Sequence, residues 1–175
     1  MRILIAGIGN IFFGDDAFGV EVVRELMQRE LPPGVRVDDF GIRGYDLAYA
    51  MMDGYDATIL IDATQRGKAP GTVYLIEPEP GEAAALEYSL PDGHSMDPVA
   101  VLRMVKNLGG EPSRLLYLIG CEPGNLEPDD CQFGLSEIVQ NAIPQAVEMV
   151  ETLVRDLLRD QAIPVKGGEE HVMLQ

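Results

Sequence analysis

The chain has 175 residues, 46% of them hydrophobic, which suits one globular domain that buries roughly 70% of its unfolded surface. Its formal net charge of −16 disfavours nucleic acid as a partner, because nucleic-acid affinity depends on neutralising phosphates with Lys and Arg. Two cysteines are too few for a disulfide framework, and we see no signal peptide and no apolar run of about 18 residues. We therefore expect a soluble, cytoplasmic monomer with no membrane partner.

The N-terminal third of the chain alternates strand and helix patterns. Residues 2–8 form a continuous apolar run, typical of a central parallel strand that is covered on both faces. From Asp15 or Asp16 the apolar period becomes helical, and residues 32–34, Pro-Pro-Gly, end that helix. A strand at 35–40, a short helix at about 45–52 and a buried strand at 57–62 follow, which completes a β-α-β-α-β run.

The remaining elements continue this alternation. Pro70-Gly71 turns the chain into a predicted edge strand at 72–76. Asp97 and Pro98 predict the start of a helix that ends at Gly109-Gly110. Residues 115–120 predict another buried strand. Ser136 predicts the cap of a helical region that runs to about Arg159, in which Pro144 either kinks the helix or starts a second segment.

This alternation predicts an α/β fold, a doubly wound, mostly parallel twisted sheet of about five strands with helices on both faces. We expect a single domain over residues 1–160 and a C-terminal tail over 161–175. Ligands of such sheets bind outside the carboxyl ends of the strands. Side chains that follow strand ends are therefore the candidates for a functional site.

Three metal-capable side chains occupy such positions. Asp16 follows the first strand, Asp62 ends the third, and His94 lies in the loop before the Asp97 helix. Two carboxylates and one imidazole suit a borderline divalent ion such as nickel or zinc, and three protein ligands leave a coordination position open. We predict a metal site of Asp16, Asp62 and His94.

Each of these residues also has a purely structural interpretation. One of Asp15 and Asp16 can cap the following helix, which would leave the other available for a different role. Asp62 at a strand end can be a turn former, and a single loop histidine such as His94 is often only solvated. Cys121 is expected to pack as a small hydrophobe, whereas Cys131 is expected to be a free thiol in a loop.

A dinucleotide-binding interpretation of the first loop is weaker. Gly7 and Gly9 follow the first strand, and Asp38 or Asp39 could serve as a ribose-binding acid. However, Phe12 stands where the third glycine of the motif is needed. Asp15 and Asp16 also place negative charge where a pyrophosphate would have to bind.

Taken together, four ordered segments over residues 1–158 resemble the nickel-iron hydrogenase maturation proteases. They are Gly7-Ile8-Gly9-Asn10 with Asp15-Asp16-Ala17-Phe18-Gly19, then Ile61-Asp62-Ala63 with Pro70-Gly71-Thr72, then His94, and finally Gly120-Cys121-Glu122-Pro123 with Gly134-Leu135-Ser136.

The resemblance implies an endopeptidase that removes the C-terminal extension of a nickel-iron hydrogenase large-subunit precursor after nickel insertion. It implies that the residues matching Asp16, Asp62 and His94 bind nickel that the substrate supplies; other divalent metals can substitute in the isolated protein. In the mechanism that it implies, the shared metal polarises the scissile carbonyl or a water, with Asp15 or Asp16 as a possible general base. Two alternative functions stay open. One is a Rossmann-type nucleotide or S-adenosylmethionine enzyme, and the other is a non-catalytic nickel-dependent chaperone.

The chain departs from the family pattern at residues 41–46, which follow the second strand where many members carry a Gly-Gly-Thr-like stretch. This departure leaves open which hydrogenase subtype is served. We expect Arg43 and Asp46 to face the substrate there and to select among partners. The alternative is that Gly41 and Gly44 only shape a turn and that Arg43 is a solvated surface charge.

Overall fold

The structure is a computed structural model that describes residues 1–77, 98–124 and 134–162, with the side chains of the last helix described to residue 160. Within these ranges, five strands form one sheet: β1 (Ile3–Ile8), β2 (Val35–Gly41), β3 (Ala57–Ala63), β4 (Val73–Ile76) and β5 (Leu115–Cys121). Their order is β2-β1-β3-β5-β4, and only β4 runs antiparallel to its neighbour. The predicted mostly parallel sheet with an edge strand at 72–76 is confirmed.

Within the described ranges, five helices and one 3-10 turn accompany the strands. The 3-10 turn is Gly14–Ala17, and the helices are α1 (Phe18–Leu26), α2 (Gly44–Met51), α3 (Pro98–Asn107), α4 (Glu137–Gln140) and α5 (Ile143–Ala162). The predicted helical region after Ser136 is therefore two helices. Pro144 lies in the first turn of α5, where a missing N–H costs nothing, so the second-segment alternative is confirmed.

The helices cover both faces of the sheet, as predicted. On one face, α1 and α5 pack their apolar sides against β1, β3 and β5 around the fully buried Phe18. On the other face, α2 and α3 pack around Leu47 and Val101. Strands β1 and β3 are buried on both sides, which explains their continuous apolar sequences.

The C-terminal end of α3 follows the predicted glycine signal. Gly109 adopts a φ of +76°, and the N–H of Gly110 donates to the carbonyl of Val105 at 3.0 Å. This is the usual way in which an α-helix ends at a glycine of left-handed backbone conformation. The predicted N-cap of this helix, Asp97, lies outside the described residues. Over the described ranges, every helix is too short or too polar to cross a membrane.

Candidate active site at the carboxyl ends of the strands

The loops after β1 and β3 meet at the carboxyl edge of the sheet. The two strands are neighbours, with Gly7 paired to Ile61, and the 3-10 turn that carries Asp16 lies against β3. The structure therefore brings Asp16 and Asp62 to the same edge, as the sequence predicted. His94 lies outside the described residues, so its place beside them stays a prediction.

The side chain of Asp16 is half-buried at this edge. Its Oδ2 accepts a hydrogen bond of 2.6 Å from the backbone N–H of Asn10, in the loop that leaves β1. Burial raises the pKa of Asp16, and the Asn10 N–H offsets part of that increase. A carboxyl group with a raised pKa at a strand end is typical of a functional position.

Asp15, the preceding residue, is fully buried and has different partners. Its carboxylate accepts hydrogen bonds from the N–H of Gly124 at 2.8 Å, from the N–H of Ser136 at 2.7 Å and from the Ser136 hydroxyl at 3.0 Å. The prediction that one aspartate of the pair caps the helix is wrong, because no side chain caps the 3-10 turn or α1. The Asp15 side chain instead contacts the loop after β5 and the start of α4.

Ser136 stands at the N-cap position of α4, as predicted, with an extended backbone. Its hydroxyl makes no capping hydrogen bond and is directed to Asp15. This hydrogen bond joins the 3-10 turn to the start of α4, two segments that are far apart in sequence.

Asp62 is 5% exposed and lies inside β3, where its backbone pairs with Gly120 of β5. Its interpretation as a simple turn former is therefore wrong, because the strand continues to Ala63. A buried carboxylate at a strand end is costly unless it has partners, which favours a specific role. Asp62 does interact with other groups of the chain.

The loop that follows Asp62 is held by Glu122, whose structural role the sequence did not indicate. The Glu122 carboxylate is 5% exposed and accepts hydrogen bonds from the N–H groups of Arg66 at 2.8 Å and Gly67 at 3.0 Å. Burial acts to raise the pKa of Glu122, but the backbone N–H groups of residues 66–68 outweigh it and lower the pKa. The available signal was an acidic residue directly after a buried strand.

Cys121 packs as a small hydrophobe at the end of β5, as predicted. It is fully buried, and burial together with the charges of Asp15 and Glu122 raises its thiol pKa to about 12. A thiol that stays protonated and inaccessible does not suit a nucleophile. Cys131 lies outside the described residues.

The loop after β1 packs too closely on the 3-10 turn to bind a phosphate as a dinucleotide-binding loop does. Gly9 has a φ of +130°, and a Cβ at this position would stand 1.8 Å from the carbonyl oxygen of Asp16. The glycine is therefore required for close packing of the 3-10 turn on the strand end. This packing role accounts for Gly9 without a dinucleotide.

Large apolar side chains surround this edge on two adjoining loops. The loops after β1 and β2 touch, since the Gly9 N–H donates to the Gly41 carbonyl at 3.1 Å. The exposed apolar residues on these loops and the start of α2 are Ile11, Phe12, Phe13, Ile42 and Tyr45. Exposed apolar side chains close to polar groups are typical of a protein-binding surface.

Arg43 is exposed, but its guanidinium also donates to the backbone carbonyls of Asp39 and Phe40. Its Nη1 lies 3.9 Å from Asp46 Oδ2. Gly41 adopts a φ of +53° and shapes the turn after β2. Arg43 is thus tied to this turn, and substrate contact by Arg43 and Asp46 stays a prediction.

No group of three or more His, Cys, Asp and Glu side chains suited to a metal occurs over residues 1–77, 98–124 and 134–160. The predicted trio includes His94, which this range omits. Asp16 and Asp62 are the described members of that trio.

Comparison with known proteins identifies the family. The family model of the hydrogenase maturation proteases (HycI) matches residues 20–153. The hydrogenase 2 maturation protease of Escherichia coli is 35% identical over 89% of this chain and 92% of its own length. The hydrogenase expression/formation protein HupD of Rhizobium leguminosarum bv. viciae is 36% identical over 97% of this chain and 80% of its own.

Solved structures agree with these sequence matches. The hydrogenase maturating endopeptidase HybD from E. coli superimposes with a TM-score of 0.75 at 34% identity and covers 90% of this chain and 94% of its own. A [NiFe] hydrogenase maturation protease HycI from Thermococcus kodakarensis gives a TM-score of 0.61 at 26% identity, over 88% of this chain and 92% of its own. With its fold and sequence both matched over most of its length, the chain belongs to the hydrogenase maturation protease family and is a peptidase.

Proposed function

We propose that this protein removes the C-terminal extension of a nickel-iron hydrogenase large-subunit precursor once nickel has been inserted. In this proposal the nickel belongs to the substrate and is the feature that the protease recognises. The observation that carries the proposal is the pair of carboxylates, Asp16 and Asp62, at the carboxyl ends of neighbouring strands in a chain of this family.

The described residues suit such a metal-bearing substrate. Asp16 and Asp62 provide oxygen ligands for a divalent ion, and His94 would add an imidazole from the loop before α3. The Asn10 N–H occupies only Oδ2 of Asp16, and Oδ1 accepts no hydrogen bond from the rest of the described chain. Among the described residues, one oxygen of Asp16 is therefore left for a ligand.

Asp16 is also a better candidate than Asp15 for handling a proton. Both oxygens of Asp15 already accept hydrogen bonds from Gly124 and Ser136, and its side chain is fully buried. Peptide hydrolysis adds the oxygen of water to the scissile carbonyl carbon and passes a proton to the departing amine. Asp16, which is only half-buried and accepts the Asn10 N–H on one oxygen, is the acid of the pair that is suited to accept the proton of that water.

The proposal is tested by incubating the protein with nickel-loaded and nickel-free precursor and weighing the products by mass spectrometry. We expect cleavage of the nickel-loaded precursor alone, and loss of cleavage in Asp16→Ala and His94→Ala. Binding without cleavage would favour the chaperone alternative. Equal cleavage of the nickel-free precursor would contradict recognition through nickel.

A second measurement concerns the isolated protein. We expect one weak to moderate site for nickel or zinc, because an incomplete set of protein ligands leaves the coordination sphere open. Titration of each protein with nickel or zinc should show weaker metal binding by His94→Ala than by the wild type. Equal binding by both proteins would remove His94 from the site.

A further inference from the structure

The residues at and after the end of β5 contact the 3-10 turn that carries Asp16 and the loop that follows Asp62. We propose that residues 121–124, here called the brace, set the position of Asp16 relative to Asp62, with Asp15 and Glu122 as positioning residues. This inference rests on the proposed function, because it concerns the same two ligands. It assigns the two buried acids a task that does not require either to touch the substrate.

The first contact of the brace runs through Asp15. Gly124 donates its N–H to Asp15 Oδ2 at 2.8 Å, and Ser136 adds its own N–H on Oδ1 and its hydroxyl on Oδ2. Asp15 and Asp16 are consecutive residues of one 3-10 turn, so a displacement of Asp15 must move Asp16. The brace therefore contacts the turn at Asp15, whereas Asn10 contacts it at Asp16.

The fit around Gly124 leaves little room for movement. A Cβ on Gly124 would stand 3.3 Å from Asp15 Oδ2 and 3.5 Å from the hydroxyl oxygen of Ser136. The first separation is shorter than most Cβ contacts, and the second is an ordinary van der Waals contact. The backbone of Gly124 can approach the carboxylate this closely because it has no side chain in the way.

The second contact of the brace runs through Glu122. Its two carboxylate oxygens accept the N–H groups of Arg66 and Gly67, and the carbonyl of Cys121 accepts the N–H of Thr64 at 2.9 Å. Thr64 is two residues beyond Asp62. The loop that leaves Asp62 is therefore fixed by the strand end that also contacts Asp15.

The brace itself is anchored by the edge strand. The Glu122 N–H donates to the Thr72 carbonyl at 2.9 Å, and the Glu122 carbonyl accepts the N–H of Gly71 at 2.8 Å. These bonds extend the pairing of β4 with β5 beyond the last strand residues. The brace is thus attached to the sheet through residues 71–72, which are the last residues of the same loop between β3 and β4 that Glu122 contacts at Arg66 and Gly67.

Buried carboxylates with several donors are costly to assemble and hard to displace. Residues that orient metal ligands through hydrogen bonds commonly change metal affinity or activity about 10- to 100-fold when replaced. Asp15 and Glu122 combine both properties, since each is buried and each connects a candidate ligand loop to the brace. A merely structural role would lower stability without changing metal affinity at temperatures where the protein is folded.

The test compares Asp15→Asn, Glu122→Gln and the double variant with the wild type. The matched control is Glu25→Gln, which removes an exposed carboxylate that pairs with Arg29 on the outside of α1. Three quantities are measured for each folded protein: the dissociation constant for nickel(II) chloride, the midpoint of thermal unfolding, and KM and kcat for nickel-loaded precursor.

We expect each single variant to weaken nickel binding about 10-fold and to raise KM more than it lowers kcat, while the control stays like the wild type. The double variant should lose less than the product of the two single losses, because both residues position one assembly. The proposed role of the brace would be contradicted if the two single losses of nickel affinity multiplied in the double variant. It would also be contradicted if the variants kept wild-type nickel affinity despite lower stability.

A milder variant covers the case in which Asp15→Asn fails to fold. Ser136→Ala removes only the hydroxyl donor and keeps the backbone N–H, and we expect it to weaken nickel binding about two- to fivefold. If Ser136→Ala and Glu122→Gln both bind nickel like the wild type, the brace is wrong. If Asp16→Ala processes nickel-loaded precursor normally, the proposed function itself fails.

Discussion

Gly19 of α1 approaches the carbonyl oxygen of Ile61 so closely that a Cβ on Gly19 would stand 2.1 Å from that oxygen. It would also stand 2.4 Å from the carbonyl oxygen of Ile8. The first turn of α1 therefore packs directly on the backbones of β1 and β3, just before the strand ends that carry the candidate site. Only glycine permits this separation without movement of the helix.

We expect Gly19→Ala to lower the free energy of unfolding by about 3 kcal/mol, because the helix must move away from two strands. Urea denaturation followed by circular dichroism measures this loss. Gly109→Ala is the control, since a Cβ there meets no atom within 4 Å and the change costs only backbone strain of about 1–2 kcal/mol. Equal losses in both variants would contradict the close contact with Ile61.

Asp16→Asn should make the protein more stable at pH 7 and inactive. The raised pKa of Asp16 means that folding disfavours its charged form, so the fold loses stability as the pH rises from the unfolded pKa through the folded one. Asparagine avoids this penalty and can still accept the Asn10 N–H. We expect processing to fall at least about 100-fold while the thermal midpoint rises.

The control for this prediction is Asp53→Asn, which changes an exposed carboxylate that pairs with Arg2. It should leave both the processing rate and the thermal midpoint close to those of the wild type. A less stable Asp16→Asn protein would show that the charge at this position supports the fold.

The ionisation of Glu122 should make the free energy of unfolding depend more steeply on pH under acidic conditions. Because its folded pKa lies below its unfolded one, its contribution is fully present above the unfolded pKa and is lost as the pH falls through the folded pKa. Glu122→Gln should therefore flatten the dependence of unfolding free energy on pH below about 4.5. Urea denaturation at several pH values measures this; parallel curves for variant and wild type would refute it.

Cys121 should resist alkylation in the native protein. Its thiol is buried and its pKa is raised to about 12, so almost no thiolate is present or accessible at pH 8. Treatment with iodoacetamide followed by peptide mapping should leave Cys121 unlabelled in buffer and labelled in urea. Rapid native labelling of Cys121 would mean that the end of β5 opens readily.

The segment 41–46, which joins the end of β2 to the start of α2, should influence which hydrogenase is processed. It lies beside the loop after β1, and Ile42 and Tyr45 are exposed there. Exchanging these six residues with those of a relative that serves another hydrogenase should change substrate preference but not nickel affinity. Retention of the original preference would place selectivity elsewhere, and residues 77–89 are the next candidates.

The sheet could be predicted from the sequence because the burial of a strand or helix determines the spacing of its apolar residues. β1 and β3 are covered on both faces and read as continuous apolar runs, and α1 shows a helical apolar period. The position of Asp16 and Asp62 at one edge also followed, because parallel strands share their carboxyl ends.

The partners of Asp15 could not be predicted in the same way. Local rules place an acidic residue before a helix in a capping role, whereas Asp15 binds Gly124 and Ser136, which are 109 and 121 positions away. Glu122 was missed for a related reason, since its donors are backbone N–H groups 55 and 56 positions earlier. Contacts of this kind depend on tertiary structure and leave no periodic signal.

The hydrogen bonds of Glu122 also give the loop after β3 a spectroscopic signature. Arg66 and Gly67 lie outside the described strands and helices, yet their amide protons are directed at a nearly buried carboxylate. Amide hydrogen exchange at these two residues thus requires opening of the loop, whereas amides that face water exchange freely. Their protection would report assembly of the carboxyl edge in the resting protein, before any substrate or metal is added.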